Sequence, residues 1–440
     1  MGNSRLEVLV LLSRMIAEFR RGPRIPASAP RSTCDALRHN LRVPNANLIL
    51  AARMADIEPF HVMDVQNRAH ELEATGRRIV HMEIGQPDFA APPLVAEAAI
   101  EAIGRRRLGY TASIGIPELR QAISDHYRDR LGVAVPPSRI VVTAGASGAF
   151  LLTLAALVDP GDEVLMPDPC YPCNRHFVRL FEGRPRAIPV DEKQHYQLAD
   201  ADIRSHWSRA TRGVLLASPS NPTGTMIPRE ELRAIIASVR RAGGFLVMDE
   251  IYQGLVYDRE ASTVLGLADD VFVVNSFSKY FNMTGWRLGW IVAPEIYVRE
   301  IEKLAQNAFI CPSAPAQYAA LAAFRPETLA VLEERRQEFR RRRDYMVPAL
   351  RNLGFRIPVM PEGAFYIYAG CENFSADSTR FALRVLEEAG VAITPGLDFG
   401  SNRPERHVRF AYTRSLADLE EGVKSIARML KGSRDAPGSD

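Results

Sequence analysis

Apolar residues fall into two rhythms along this chain. Short, nearly continuous runs rich in Val, Ile, Leu, Met and Phe occur at Ile79–Ile84, Ile140–Gly145, Glu163–Met166, Gly213–Ala217, Phe245–Met248 and Val271–Val274. Runs of that length, bounded by turn residues, read as buried strands. Between them, apolar positions three and four apart predict helices over Ile57–Thr75, Pro93–Gly104, Ala149–Val158 and Pro228–Ala242. Gly76 and the pair Gly243-Gly244 supply stop signals for two of these. Strands alternating with helices read as an open α/β sheet. Past Trp290-Ile-Val the helical rhythm takes over, at Pro294–Ile310 and Pro326–Leu353. Strands at Gly354–Val359, Gly363–Tyr368 and His407–Tyr412, with helices at Ser378–Glu388 and Leu416–Leu430, then predict a second, smaller domain around a turn at Val391–Phe399.

Length and composition agree with that outline. A chain of 440 residues can bury the core of a large domain plus a smaller one. Its hydrophobic content of 47% with 24% charged residues is ordinary for a soluble globular protein, and no run of about 18 apolar residues offers a membrane span. The net charge of +3 is unevenly placed. Residues 1–53 hold nine arginines, no lysine and three acids, leaving 46 basic against 49 acidic residues in the remainder. That balance gives a nucleic-acid role no support. The leader itself admits three readings: a signal-like segment around Leu6–Phe19, an Arg-rich transit-like peptide, or an upstream start before a functional beginning near Met54. It is expected to be poorly ordered.

Five cysteines in a chain this long make no disulfide framework, so a reducing, cytoplasmic compartment is the simplest inference. Cys170-Tyr-Pro-Cys173 has redox or metal-ligand spacing but lacks the second pair that a zinc site needs; the alternative is two small residues lining a loop. The basic runs Arg105–Arg107 and Arg335, Arg336, Arg340–Arg343 read as solvated faces.

The chemistry concentrates where strands end. The run Val271–Val274 leads into Asn275-Ser-Phe-Ser-Lys-Tyr, which places Lys279 at the mouth of a buried strand beside Ser276 and Ser278, with Arg287 eight residues on. A partly desolvated lysine can trap an aldehyde, and two hydroxyls with a guanidinium suit a phosphate. A surface lysine after an edge strand would show the same spacing. Ser218-Pro-Ser-Asn-Pro-Thr-Gly224 and Asp249-Glu-Ile-Tyr252 also follow apolar strands at their carboxyl ends, where open α/β sheets bind ligands. A carboxylate such as Asp249 could equally cap a helix, and the Asn221 segment could be only a turn. Gly145-Ala-Ser-Gly148 opens an apolar helix with small residues, which leaves free N–H groups for an anion. Arg409 lies mid-strand among apolar neighbours, where it needs a carboxylate from a ligand or from the protein.

Taken in order, these motifs resemble the aspartate-aminotransferase superfamily of pyridoxal-phosphate enzymes (fold type I, class I/II aminotransferases), over roughly Ile57 to Leu430. The resemblance implies a large domain built on a mostly parallel seven-stranded sheet flanked by helices, plus a smaller α/β domain. Its boundaries are expected at 54–94 for an N-terminal arm and part of the small domain, 95–320 for the large domain, 321–431 for the rest of the small domain, and 432–440 for a tail. It further implies pyridoxal 5′-phosphate held as a Schiff base (aldimine) on Lys279. The amides of Ala146 and Ser147, with Ser276, Ser278 and Arg287, would bind its phosphate, while Tyr171 stacks on its ring. Asn221 and Tyr252 would reach its phenolic oxygen, and Asp249 its ring nitrogen. Gly85 and Arg409, with Asn221, would hold the substrate carboxylate. Tyr110 would cross a homodimer interface to the partner's phosphate. Some relatives that act on dicarboxylic acids carry a lysine where Ser147 stands, so its absence leans towards an uncharged substrate side chain.

The implied reaction is ping-pong amino transfer between an L-amino acid and a 2-oxo acid. A C–S β-lyase of the same fold is the alternative within the family. A ligand-sensing regulator would need an N-terminal DNA-binding module, and the leader shows no helix-turn-helix pattern.

Overall fold

The computed structural model of the chain describes residues 50–105 and 108–435. Contacts divide the chain between Ala55 and Asp56, and the unit beginning at Asp56 carries everything below. Most of the leader (residues 1–49), Arg106, Arg107 and the tail from 436 on lie outside the described residues, so the expectations placed there do too.

Among the described residues the strands follow in the order β1 (Val80–His81), β2 (Ile140–Thr143), β3 (Glu163–Asp168), β4 (Arg184–Pro189), β5 (Thr211–Ala217), β6 (Phe245–Asp249), β7 (Phe272–Ser276), β8 (Gly289–Val292), β9 (Tyr366–Gly370), β10 (Val391–Ala392), β11 (Thr394–Pro395) and β12 (His407–Ala411). Seven form one sheet in the order β2-β8-β7-β6-β5-β3-β4. β8 runs antiparallel to both its neighbours, and every other pairing is parallel. Successive side chains along these strands enter different cores, which is why the strands read as continuous apolar runs. Val142, Leu216, Met248 and Val273 face one cluster, while Val141, Leu215, Val247 and Val274 face the other. Helices Gly145–Leu157 and Glu295–Ala308 cover the second face, through Leu154 and Ile301 among others. Helices Pro117–Leu131 and Arg229–Arg241 bury Ile123 and Ile235 on the first.

The C-terminal part builds an antiparallel sheet β11-β12-β9, and β1 pairs in parallel with β10. The helix Pro326–Leu353 spans 28 residues and stops at Gly354, whose φ of 104° suits a residue without Cβ.

Several expectations need correction. The first helix begins at His61 rather than Ile57, because its cap is remote: the Asp398 carboxylate accepts the N–H groups of His61 (2.7 Å) and Val62 (2.9 Å). The strand expected over Ile79–Ile84 is only β1: Met82 still bonds through its backbone to Ala392 (2.9 Å) and Ala411 (2.7 Å), but beyond it the carbonyls of Glu83 and Gly85 turn to Arg409 and Lys279. Gly354–Val359 is no strand; a single bridge joins Arg356 to Gly370. The helix after Ser378 ends at Arg384 and continues as a π turn, Val385–Ala389. β4 escapes detection in the sequence because an edge strand tolerates two prolines and alternate arginines that look like loop. The basic face of the long helix is not wholly solvated. Arg342 and Arg343 are 4% and 2% exposed and bind Asp88 (2.7 and 3.0 Å) and Asp258 (2.5 and 3.2 Å), so counter-ions from distant segments neutralise them.

Candidate active site

β5, β6 and β7 end side by side, and each delivers polar groups to the same cavity of about 300 Å³. β7 runs out at Ser276, and three residues later Lys279 points inward. Its Nζ donates to the Gly85 carbonyl at 2.7 Å and lies 5.8 Å and 5.7 Å from the ring centres of Tyr252 and Phe365. Burial lowers the amine's pKa from 10.5 to about 8; the positive charges of Arg409 and Arg287 push the same way, and Asp249 opposes them weakly. The surface-lysine alternative is excluded by this placement.

Asp249, the last residue of β6, is 4% exposed. Burial raises its carboxyl from 3.8 to about 7, only partly offset by the Ile251 N–H donated to its Oδ1 at 3.1 Å. No helix begins here, so this bond closes a local turn and is not the helix cap the sequence allowed, and the other oxygen is left for a ligand's cation or N–H. At the end of β5, the Asn221 Oδ1 accepts from Arg409 Nη1 at 3.0 Å.

An anion cradle forms where β2 meets its helix. The N-terminus of Gly145–Leu157 has no side-chain cap. Gly145 has a φ of 73°, and a Cβ there would meet the Arg287 guanidinium at 2.7 Å; a Cβ on Gly289 would strike the Gly145–Ala146 peptide at 2.8–2.9 Å. Only glycines permit this approach. Arg287, itself left-handed (φ 53°), donates to Ser278 Oγ at 3.4 Å and the Thr284 carbonyl at 3.1 Å, while Ser276 Oγ accepts the Ser278 N–H at 3.0 Å. Two hydroxyls, an uncapped helix start and an arginine with no carboxylate partner among the described residues fit a phosphate.

Arg409 comes from β12 and is 6% exposed. Its Nη2 donates to the Glu83 carbonyl at 2.5 Å and to Thr394 Oγ1 at 3.1 Å, and its Nε has no partner among the described residues. The rings of Tyr366 and Phe399 lie 4.4 Å and 4.8 Å from its guanidinium carbon. The internal salt bridge allowed by the sequence is absent among the described residues. A buried guanidinium with an orphan N–H is costly until an anion arrives.

Gly85, Ala146, Ser147, Tyr171, Asn221, Asp249, Tyr252, Ser276, Ser278, Lys279, Arg287 and Arg409 all line this cavity. Tyr110 does not; it is 83% exposed. Cys170 is buried with its thiol pushed up to about 12, Cys173 is half-buried, and neither lines the cavity. Sequence reasoning does not find Tyr366, whose hydroxyl shares a 2.9 Å hydrogen bond with Tyr252. Nor does it find Thr394, Asp398 and the apolar wall of Phe60, Val62, Met63 and Phe399. Tyr366 carries some signal of its own, as a hydroxyl-bearing ring inside the apolar run Gly363–Tyr368. Nothing local distinguishes Asp398.

The model of the family Aminotransferase class I and II matches residues 77–426. The valine–pyruvate aminotransferase of Mycobacterium tuberculosis is 39% identical over 381 residues, covering 86% of this chain and 98% of that one. A probable aspartate/prephenate aminotransferase of Aquifex aeolicus is 35% identical over 392 residues, covering 87% and 98%. Among solved structures, an aminotransferase from Mycobacterium tuberculosis superposes with a TM-score of 0.84 at 39% identity, over 87% of this chain and 99% of that one. Among the described residues, no helix is long and apolar enough to cross a membrane.

Proposed function

This chain belongs to the class I and II aminotransferase family, and we propose that it moves the amino group of an L-amino acid to a 2-oxo acid by a ping-pong route, with pyridoxal 5′-phosphate as its cofactor. The observation that carries this reading is Arg409: a buried guanidinium without a carboxylate partner among the described residues, in the same cavity as the softened amine of Lys279. The cofactor supplies an aldehyde that captures an amine and a ring nitrogen that, once protonated, draws electrons from Cα.

The Ala146 and Ser147 amides, Ser276, Ser278 and Arg287 would hold its phosphate, and Tyr171 would stack on its ring. Asp249 would keep a proton on the ring nitrogen, while Asn221 and Tyr252 would orient the ring through its phenolic oxygen. Arg409 and Asn221, with the Gly85 backbone, would grip the substrate carboxylate. Lys279 would anchor the cofactor and, once displaced by the substrate, take the Cα proton on Nζ and return it to the cofactor's aldehyde carbon, on the far side of the substrate nitrogen. A base with a pKa of about 8 is matched to that task near neutral pH. The donor leaves as its 2-oxo acid with oxygen from water, and an incoming oxo acid takes the nitrogen and releases water.

The proposal also includes a homodimer in which the exposed Tyr110 serves the partner's site, and the arm, large-domain and small-domain boundaries given above. The free thiols of Cys170, Cys173, Cys311 and Cys371 favour a reducing, cytoplasmic setting. The aminotransferase names of the relatives favour amino transfer over the C–S β-lyase. Those names point to valine with pyruvate in one case and aspartate or prephenate in another, so they do not choose the donor.

The test is a half-reaction. Protein loaded with pyridoxal phosphate and given one amino acid, with no oxo acid present, is expected to lose its visible cofactor band and release one oxo acid per site. A band that persists while pyruvate and ammonia accumulate from cystathionine would identify the lyase instead.

A further inference from the structure

Resting on the amino-transfer reading, we propose that the donors are L-amino acids with uncharged, apolar side chains, aliphatic or aromatic, and not the dicarboxylic amino acids. Two sets of observations carry this. The first is an accounting of positive charge. The basic side chains among the described residues lining the cavity are Lys279, Arg287 and Arg409. Lys279 is the proton carrier, Arg287 lies against Ser278 and the Gly145 helix start, and Arg409 is tied to Asn221, Thr394 and the Glu83 carbonyl. Within one protomer, none of the described basic residues lining the cavity is left to face a second substrate carboxylate.

The second is what occupies the remaining wall. Phe60, Val62, Met63, Ile84 and Phe399 present apolar groups to the cavity. Phe60, Val62 and Met63 lie more than 300 residues from Phe399 in sequence, and Asp398 stitches those two segments together through the His61 and Val62 N–H groups, while Ile84 comes from a third. Those two bonds also remove Asp398 as a free polar partner, and Arg175 Nη2 holds its carbonyl at 2.5 Å. The Phe60 ring sits 6.4 Å from that of Tyr171, so this wall continues up to the residue proposed to stack on the cofactor. Apolar side chains bind such a surface by losing water, whereas a carboxylate there would be stripped of water without a counter-charge.

The experiment compares donors on the loaded protein by the rate at which single amino acids bleach the cofactor band. Valine, leucine or phenylalanine is expected to react at least about 100-fold faster than aspartate or glutamate at equal concentration. A companion measurement needs no turnover: calorimetry with 4-methylpentanoate and glutarate, which lack an amino group, is expected to show clearly tighter binding of the former. Aspartate or glutamate reacting as fast as the apolar donors, or glutarate binding as tightly as 4-methylpentanoate, overturns the assignment. If no amino acid of any kind bleaches the band, the amino-transfer reading itself has failed, and the ranking of the two carboxylates still decides the character of the cavity.

Discussion

Replacing Lys279 with alanine is expected to lower the amino-transfer rate by at least about 10⁴-fold while leaving the chain folded. In the proposed mechanism the amine does two things, anchor the cofactor and carry the Cα proton, and among the described residues lining the cavity no other base is placed to take over. Of the acids in the same cavity, Asp249 is assigned to the ring nitrogen in the proposal, and Tyr252 is a phenol that burial holds well above its usual range. Stability should move the other way. The folded amine titrates near 8 against 10.5 for an exposed lysine, so the fold disfavours the charged form. The native state thus bears a penalty below about pH 8, and it is relieved as pH rises from about 8 to 10.5. Alanine has nothing to protonate, so cofactor-free Lys279→Ala protein should melt no lower than the unchanged protein at pH 7, and the difference should shrink across that window. A variant keeping a tenth of the original rate would remove Lys279 from the mechanism.

Asp249→Asn is expected to cost about 10²–10³-fold in turnover, the range seen when one fixed electrostatic partner of a developing charge is lost. Asparagine keeps the oxygen that accepts the Ile251 N–H, so the loop should hold. What disappears is the negative charge that would keep a proton on the ring nitrogen. Cofactor-free protein offers an independent readout. The folded carboxyl titrates near 7 instead of 3.8, so the fold favours its neutral form. That contribution is complete below about pH 4 and is lost as pH rises to about 7. The neutral variant cannot lose it, and its melting temperature should fall less over that interval. Equal activity in variant and parent would show that the ring nitrogen needs no anionic partner here.

Much of the site is legible in the sequence because its key groups are local consequences of strands. Asn221, Asp249 and Lys279 each follow an apolar run closely, and a sheet with parallel neighbours brings their carboxyl ends together. The small residues at Gly145–Gly148 mark the cradle for the same reason. What cannot be read there depends on packing between distant segments. His61 meets its capping carboxylate 337 positions away. Arg342 looks like one more surface arginine until Asp88 arrives from 254 positions away. Tyr366 becomes part of the site only because β9 and β12 pair, which sets its ring against Arg409.

The reversed strand β8 has a consequence for how the protein is made. β2 pairs with β8, not with any strand close to it in sequence, and β8 in turn pairs with β7. A nascent chain that has not yet exposed Val292 therefore has no slot for β2, and its Gly145 helix start cannot meet Arg287. At about 5–20 residues per second, ribosomal synthesis takes on the order of ten seconds to cover that distance. The phosphate cradle is thus assembled late, and Arg409 on β12 later still. The order of emergence builds the site proposed for the cofactor's phosphate before the one proposed for the substrate's carboxylate.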